Sequence, residues 1–345
     1  MGPKRSPTIR DVARITGVSR STVSLVINDS RRISAPTAGK VLAAIRELGY
    51  EPNVMARGLA RRRAKMIAIL VPQISSHVFS DFYFSEAISG ISDALSRRGY
   101  RMLIEIATED FLKEGEHLKL FRERQIDGML LLGTLDTDRY IVELSEKGHP
   151  LVLVNSSLDG IPCVLADNLS GSRVMVNYLA SLGHRRIAFI GGLESTTVGM
   201  DRTLGYKAGL KESGIRIDSR LITYGNYSEE SGYDCMRKLW SAGSKPTAVF
   251  AANDMMAIGA LKFLRERGIK VPHEMTVVGA DDIKLASYVE PPLTTIRQPM
   301  YEIGRLATGM LLEGLSGKRG RNRETVRTEL VVRLSSAPPS SDGGA

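Results

Sequence analysis

Two groups of side chains in this chain could do chemistry, and they differ in kind. The first is a run of donors near the N-terminus: Ser19, Arg20, Ser21, Thr22 and Ser24 follow Gly17 in close succession. Hydroxyls and a guanidinium at that density can hydrogen-bond phosphate oxygens and base edges, and an Arg can contact guanine in bidentate fashion. The second group is scattered. Arg202 precedes Gly205-Tyr206, Asn253 follows the apolar run Val249-Phe250-Ala251-Ala252, and Asp281 follows Val277-Val278-Gly279-Ala280. A planar Arg fork with Asn and Asp offers donors and acceptors together, which suits the vicinal hydroxyls of a sugar. A polar residue after an apolar run is also a common helix N-cap, and Asp254 and Asp282 read that way.

The first group needs a small helical unit to position it. Residues 1–65 hold 14 Lys or Arg against 4 Asp or Glu, whereas the other 280 hold 33 against 34. A basic head on a neutral body means that one part grips a polyanion while the other does something else. A solvated basic arm would share that charge, but this stretch also has helix caps and apolar spacing. Thr8-Ile9-Arg10-Asp11 is a capping-box start, with Ile9, Val12, Ala13 and Ile15 on one face. Gly17 ends that helix. Ser19 caps a second, running to about Asn28 with Val23, Val26 and Ile27 inward. Ser34 caps a third, expected to bury Val41, Leu42, Ile45 and Leu48 and to stop at Gly49. Two short helices joined through a Gly-containing turn make a helix-turn-helix, with Arg20, Ser21, Thr22 and Ser24 presented to a major groove.

These residues carry a resemblance. Thr8 to Ala13 (TIRDVA), Gly17 to Ser24 (GVSRSTVS) and Leu48 to Asn53 (LGYEPN) are similar in order and spacing to the N-terminal signature of the LacI/GalR (lactose-repressor) family of bacterial transcription regulators. The resemblance implies a DNA-binding surface of Thr8, Ser19, Arg20, Ser21, Thr22, Ser24 and Asn28. Leu25 departs from it, standing where the family often has a basic residue. Residues 53–60 resemble the family's hinge helix, which implies further DNA contacts from Asn53, Ala56, Arg57 and Leu59. Leu59 would be an apolar wedge that unstacks a base step in the minor groove; the alternative is an ordinary linker leucine. Alone, so short a segment is marginal as a helix.

From Met66 onward, short apolar runs alternate with helical stretches, the pattern of parallel, doubly wound sheets. Strands are expected near 67–71, 101–106, 128–132, 151–154, 186–190, 221–223, 248–251 and 276–278. So long a body exceeds one such core, so two α/β halves are expected. A repeat supports this: Gly90 with Gly99-Tyr100, and Gly205-Tyr206 with Gly214, sit on the helix after each half's first strand. The resemblance then covers the whole chain, implying a periplasmic-binding-protein-like core of two subdomains crossed three times, near Asp167, Gln298 and Thr325. The expected domains are 1–65 for the head and 66–336 for the core. Within the core the first subdomain takes 66–167 and 299–325, the second takes 168–298 and 326–336, and 337–345 form a disordered tail. Ligands in such folds bind at the carboxyl ends of the strands. By resemblance, the effector-binding residues are Tyr83, Phe84, Asp167, Arg202, Tyr227, Asn253 and Asp281, with Arg202 opening a helix and the aromatic rings as stacking faces. Trp240 reads as core.

Other classes lack their marks. There is no apolar run of membrane-spanning length and no apolar signal core, so a cytoplasmic protein is expected. Cys163 and Cys235 read as reduced thiols. His77, His117, His149, His184 and His273 show no metal-ligand spacing, and no phosphate loop, nucleophile elbow or paired-carboxylate site is evident. No metal, cofactor or enzyme activity is expected. The reading is a homodimeric, effector-responsive regulator of a carbohydrate-use operon that binds a pseudopalindromic operator. A purine corepressor remains open in place of a sugar inducer. A transporter's sugar-binding protein fits the body alone, not the head.

Overall fold

In the computed structural model, residues 7–27, 33–50, 63–72, 82–135, 137–318 and 321–340 are described, and they divide into two units, 1–64 and 65–345. In the head, α1 (Ile9–Thr16), α2 (Arg20–Ile27) and α3 (Ala35–Leu48) close on Val12, Ala13, Val23, Val26, Val41 and Ala44. Asp11 Oδ2 accepts from the Thr8 backbone N–H at 2.9 Å, which starts α1. Gly17 ends it at φ 69°, a left-handed turn that favours glycine. Two expected core positions are corrected. Ile15 is 52% exposed, and Thr16 is buried instead because its hydroxyl donates to Val12 O at 2.7 Å. Leu42 is 46% exposed, since the buried stripe runs through Val41, Ala44, Ile45 and Leu48 and Leu42 lies a step of about 100° around the helix.

The first sheet of the core has the order β2 (Arg101–Ala107), β1 (Met66–Pro72), β3 (Gly128–Leu132), β4 (Leu151–Val154), β5 (Cys163–Ala166) and β11 (Arg323–Val326), every pairing parallel. Both faces of the inner strands are covered, so β1, β3, β4 and β5 read as continuous apolar runs. Strand alternation then sorts the side chains. Ile67, Ile69 and Val71 pack with α4 (Phe82–Ser96) and α12 (Met300–Leu315). Ala68 and Leu70 face the layer of α5 (Glu109–Lys113), α6 (Glu116–Arg122) and α7 (Arg139–Glu146).

The second sheet, β7 (Ile222–Tyr224), β6 (Ile187–Gly191), β8 (Ala248–Ala251) and β9 (Thr276–Val278), is also parallel. Around it lie α8 (Asn168–Ser181), α9 (Thr197–Glu212), α10 (Glu229–Ser241) and α11 (Asp254–Glu266). The repeated glycines do the same work in both halves. A Cβ on Gly90 would lie 2.0 Å from Tyr301 O of α12, and one on Gly205 would lie 2.3 Å from Leu169 O of α8. Only glycine lets these helices approach so closely.

The chain passes between the sheets at Asp167, at Gln298 and at Arg327–Thr328. The last joins β11 to β12 (Glu329–Val331), which pairs antiparallel with β10 (Thr295–Arg297). Val326 thus lies in the first sheet, slightly beyond the expected crossing at Thr325. The strands β5, β10, β11 and β12 and the helices α5 and α12 have no counterpart in the sequence reading. Ala337, expected in a disordered tail, is built in: its N–H donates to Thr276 Oγ1 at 3.1 Å and its carbonyl meets His184 Nε2 at 2.9 Å. Trp240, expected as core, is partly exposed and meets Phe263 edge-on at 6.3 Å.

Candidate functional site

On the head, α2 begins with a set of hydroxyls that organise one another. Ser19 Oγ accepts from the Thr22 N–H at 3.0 Å and lies 2.6 Å from Ser21 Oγ and 2.9 Å from Thr22 Oγ1. This is an N-cap made of the same residues expected to meet DNA. Ser19, Arg20 and Ser21 are exposed, while Thr8, Thr22 and Ser24 are half-buried. Exposed donors around a helix N-terminus suit phosphate oxygens and groove edges. Asn28, Asn53, Ala56, Arg57 and Leu59 lie outside the described residues.

The core builds its site from residues far apart in the chain. Arg202, 2% exposed, directs all three nitrogens inward: Nε donates to Asn168 Oδ1 at 3.0 Å, Nη1 to Ala252 O, and Nη2 to Asp281 Oδ1 at 2.6 Å. Gln298 Nε2 donates to the same Asp281 oxygen, and Gln298 Oε1 accepts from Asn155 Nδ2 at 3.0 Å. Asn155 Oδ1 accepts from the Ala166 N–H at 2.9 Å and from Asn168 Nδ2 at 3.4 Å, which closes the circuit. Asn155 directly follows β4 of the first sheet, and Arg202 and Asp281 belong to the second subdomain. Asn168 and Gln298 stand at two of the crossings. One buried ring of hydrogen bonds therefore ties both subdomains to the strands that join them. At the lip, Thr197 Oγ1 accepts from the Ser157 N–H at 3.1 Å, a second bond from one subdomain to the other.

Electrostatically the ring balances itself. Asp281 neutralises the Arg202 guanidinium, and the remaining members are neutral amides. Beneath it, Asp254 accepts from Thr295 Oγ1 at 2.5 Å and from the Ile283 N–H at 2.9 Å. Burial, then the Asp281 charge, hold the Asp254 carboxyl well above the usual carboxylate range. Asp281 and Asp282 have φ 119° and 56°, and Asn155 has φ 53°. Left-handed non-glycine residues store strain that surrounding bonds must hold in place.

Several sequence assignments change. Arg202 does not open its helix: α9 starts at Thr197, with Thr196 Oγ1 capping the Gly199 N–H at 3.0 Å, so Arg202 lies a turn inside. Asn253, not Asp254, caps α11 by accepting from the Met256 N–H at 2.9 Å, and its Nδ2 donates to Tyr227 O at 2.9 Å. Asp282 caps no helix and instead holds Arg297 at 2.7 Å and Arg333 at 2.5 Å. Tyr227 is half-buried at φ 72°, its hydroxyl 3.2 Å from Thr196 Oγ1, and burial raises its pKa. Phe84 is buried in the core between α4, α12 and the first sheet, and Tyr83 is on the first turn of α4. Asp167 caps α8 by accepting from the Ser170 N–H at 3.1 Å. It lines a separate cavity of about 210 Å³ with Arg327 and Thr328.

Asn155, Asn168, Gln298 and Thr197 were missed as site residues. The signal for them was topological: a residue at a crossing must lie at the floor of the cleft, so polar residues beside Asp167 and at Gln298 could have been chosen on that ground. Among the described residues no group of three or more His, Cys, Asp or Glu could hold a metal ion. Cys163 and Cys235 are separate buried free thiols. No helix among the described residues is long and apolar enough to cross a membrane.

Comparison with known proteins agrees with this layout. Residues 8–53 match the model for bacterial regulatory proteins of the lacI family, and residues 176–336 match the periplasmic binding protein-like domain. The chain is 36% identical over 344 residues to the HTH-type transcriptional regulator CelR of Thermobifida fusca, covering 97% of this chain and all of that one. It is 36% identical to the HTH-type transcriptional repressor CytR of Escherichia coli K12, over 94% of this chain and 95% of that one. Among solved structures, a lac repressor dimer bound to operator and the anti-inducer ONPF superposes with a TM-score of 0.85 at 28% identity, over 96% of this chain and all of that one. A CelR–cellobiose complex gives 0.75 at 34% identity, again over 96% and 100%.

Proposed function

The chain belongs to the lacI family of bacterial regulatory proteins, and from that premise we propose that it is an effector-responsive repressor of a carbohydrate-use operon. In this reading it acts in the cytoplasm as a homodimer on a pseudopalindromic operator, and it is not an enzyme. The carrying observation is the ring through Asn155, Asn168, Arg202, Asp281 and Gln298. It unites ligand-type side chains with two of the three crossings, so a ligand that exchanges hydrogen bonds with Arg202 and Asp281 changes how the subdomains are held together. Such a change alters DNA affinity only through different ligand affinities in the two arrangements, a coupling of about 1–3 kcal/mol. The charge balance of the ring supports a neutral polyhydroxylated effector, and the solved structure of the similar regulator CelR is a complex with cellobiose, which favours a saccharide.

The DNA contacts come from Ser19, Arg20, Ser21 and Thr22 of the head, with Thr8 and Ser24 beside them. Arg202, Asp281 and Asn253 meet the effector. Two tests in sequence decide the matter. Binding-site selection with the full chain should enrich a two-fold symmetric sequence. A thermal-shift screen of mono- and disaccharides, nucleosides and nucleobases should then identify a ligand that alters affinity for that sequence. An enriched site without symmetry refutes the dimeric reading. A ligand whose effect on DNA survives in both Arg202→Ala and Asp281→Ala refutes the cleft assignment.

A further inference from the structure

At the far end of α9 from the Ser157–Thr197 contact, the second subdomain carries a groove of about 650 Å³ lined by Lys207, Ala208, Lys211, Gly214, Ile215, Arg216 and Ile217. Lys211 is nine residues beyond Arg202 on the same helix, roughly 13 Å along its axis. The lining is basic and apolar, with no acid in it. The acids nearest in sequence are engaged elsewhere. Glu212 accepts from Arg173 Nη1 at 3.1 Å and from Asn177 Nδ2 at 2.9 Å, across α8. Asp218 is paired with Arg220 at 2.8 Å, and those bonds hold its pKa down at about 2.

Lys207 and Lys211 are one helical turn apart, so they share a face of α9 and repel each other. Arg216 and Ile217 are exposed, Ile217 to 45%, while Ile215 is buried and makes an apolar floor. An anion placed here would relieve the Lys207–Lys211 repulsion, and an aliphatic side chain would cover Ile217. A groove of this volume falls within the usual range for ligand pockets, about 300–1,000 Å³, yet it lies open along the surface.

We propose that this groove docks an acidic segment of a partner protein, an extended stretch with carboxylates flanking an aliphatic side chain. Charge complementarity selects the carboxylates, and the Ile215–Ile217 floor selects the apolar residue. Nucleic acid fits less well. The lining has no aromatic ring on which a base could stack, and a phosphate backbone leaves the isoleucines uncovered. None of its residues belongs to the cleft ring.

The test uses the full chain and a fluorescein-labelled peptide of Glu and Ser with one central Leu, read by fluorescence anisotropy at low and at high salt. Binding should weaken as salt rises. Lys211→Glu with Arg216→Glu should weaken it about tenfold or more. Ile217→Ser should weaken it too, and so should Ser in place of the peptide's Leu. Melting temperatures should not move, since these positions are exposed; if the double variant fails to fold, Lys211→Gln is read in the same direction. Unchanged binding in the charge variants overturns the proposal and assigns the peptide to the basic head. Equal binding of the Leu-free peptide, or no effect of Ile217→Ser, overturns it in favour of diffuse attraction to any polyanion. Absent peptide binding, with random-sequence duplex DNA bound more weakly by the double variant, overturns it in favour of nucleic acid.

Discussion

The head and the cleft are built on opposite principles. In the head, Arg20 and Ser21 stand exposed on a three-helix unit whose core does not include them. In the cleft, Arg202, Asp281, Asn155, Asn168 and Gln298 are held inside the fold and bonded to one another. The first arrangement presents the Arg20 guanidinium outside the bonds that cap α2 and leaves the fold indifferent to its removal. The second makes recognition and folding share the same bonds. Substitution should therefore separate function from stability in the head and not in the cleft.

The largest expected effect tests that difference directly. Arg202→Ala takes the buried cation away from the Asp281 carboxylate, which keeps Gln298, and removes the Arg202 donor from the Asn168 and Ala252 oxygens. Breaking one side of a buried ion pair costs about 3–5 kcal/mol, so the core should melt markedly earlier and lose its effector response together. A double-mutant cycle with Asp281→Ala, followed by urea denaturation, should give strongly non-additive losses. If Arg202→Ala loses the effector response with an unchanged unfolding midpoint, the cleft is as separable as the head and the comparison fails.

A smaller and purely functional effect is expected on the other side. Arg20→Ala should relax preference at one symmetric base position, worth about 1–3 kcal/mol of discrimination for a bidentate guanine contact. The melting temperature should stay unchanged, because Arg20 is exposed on α2. Binding-site selection on both proteins reads the first quantity and calorimetry the second. Matching sequence profiles would remove Arg20 from base recognition.

The same contrast explains how much of the molecule was legible in the sequence. Head features are local: the Thr8–Asp11 bond, the Ser19 cap and the Gly17 turn each span a few residues, so spacing alone locates them. Ile15 was misassigned because the Thr16 hydroxyl, bonded back to Val12 O, takes the buried place beside it, and Leu42 because it lies a step of about 100° outside the stripe through Val41 and Ala44. Eight strands of the core were legible as apolar runs. The strands β5, β10, β11 and β12 were not: β5 is apolar but only four residues long, and the other three are short and mixed, with Arg297, Arg323 and Glu329 among their residues. In the cleft, Arg202 and Asp281 were reached through resemblance and their position at strand ends. Asn155 and Gln298 meet across 143 residues of chain, and no local pattern encodes that pairing. Of the neighbours Asp167 and Asn168, the expected Asp167 side chain caps α8 while the Asn168 side chain is the one in the ring, a difference that the dipeptide alone does not encode.

The smallest expected effect concerns a buried group that serves the fold alone. His184 Nδ1 lies 2.9 Å from Thr247 Oγ1 and Nε2 lies 2.9 Å from Ala337 O, tying the turn after α8 to the chain's last described segment. Burial lowers its pKa below the ordinary 6.5 despite the Ala337 carbonyl, and burial lowers that of His117 as well. Because the fold holds the neutral imidazole, the unfolded chain takes up a proton first as pH falls below about 6.5. Stability is therefore full above that pH and is lost from there down to the folded pKa, each unit of displacement being worth about 1.4 kcal/mol. His184→Gln should lower stability at every pH by disturbing the two contacts, yet it should flatten the decline between about pH 7.5 and about pH 5.5. Part of the slope should persist, since His117 contributes with the same sign. The informative quantity is the change in urea midpoint with pH rather than its level. Parallel curves for wild type and His184→Gln would mean that His184 does not titrate with unfolding, and the histidine share of the core's acid sensitivity would then rest on His117 and His149, whose pKa burial also lowers.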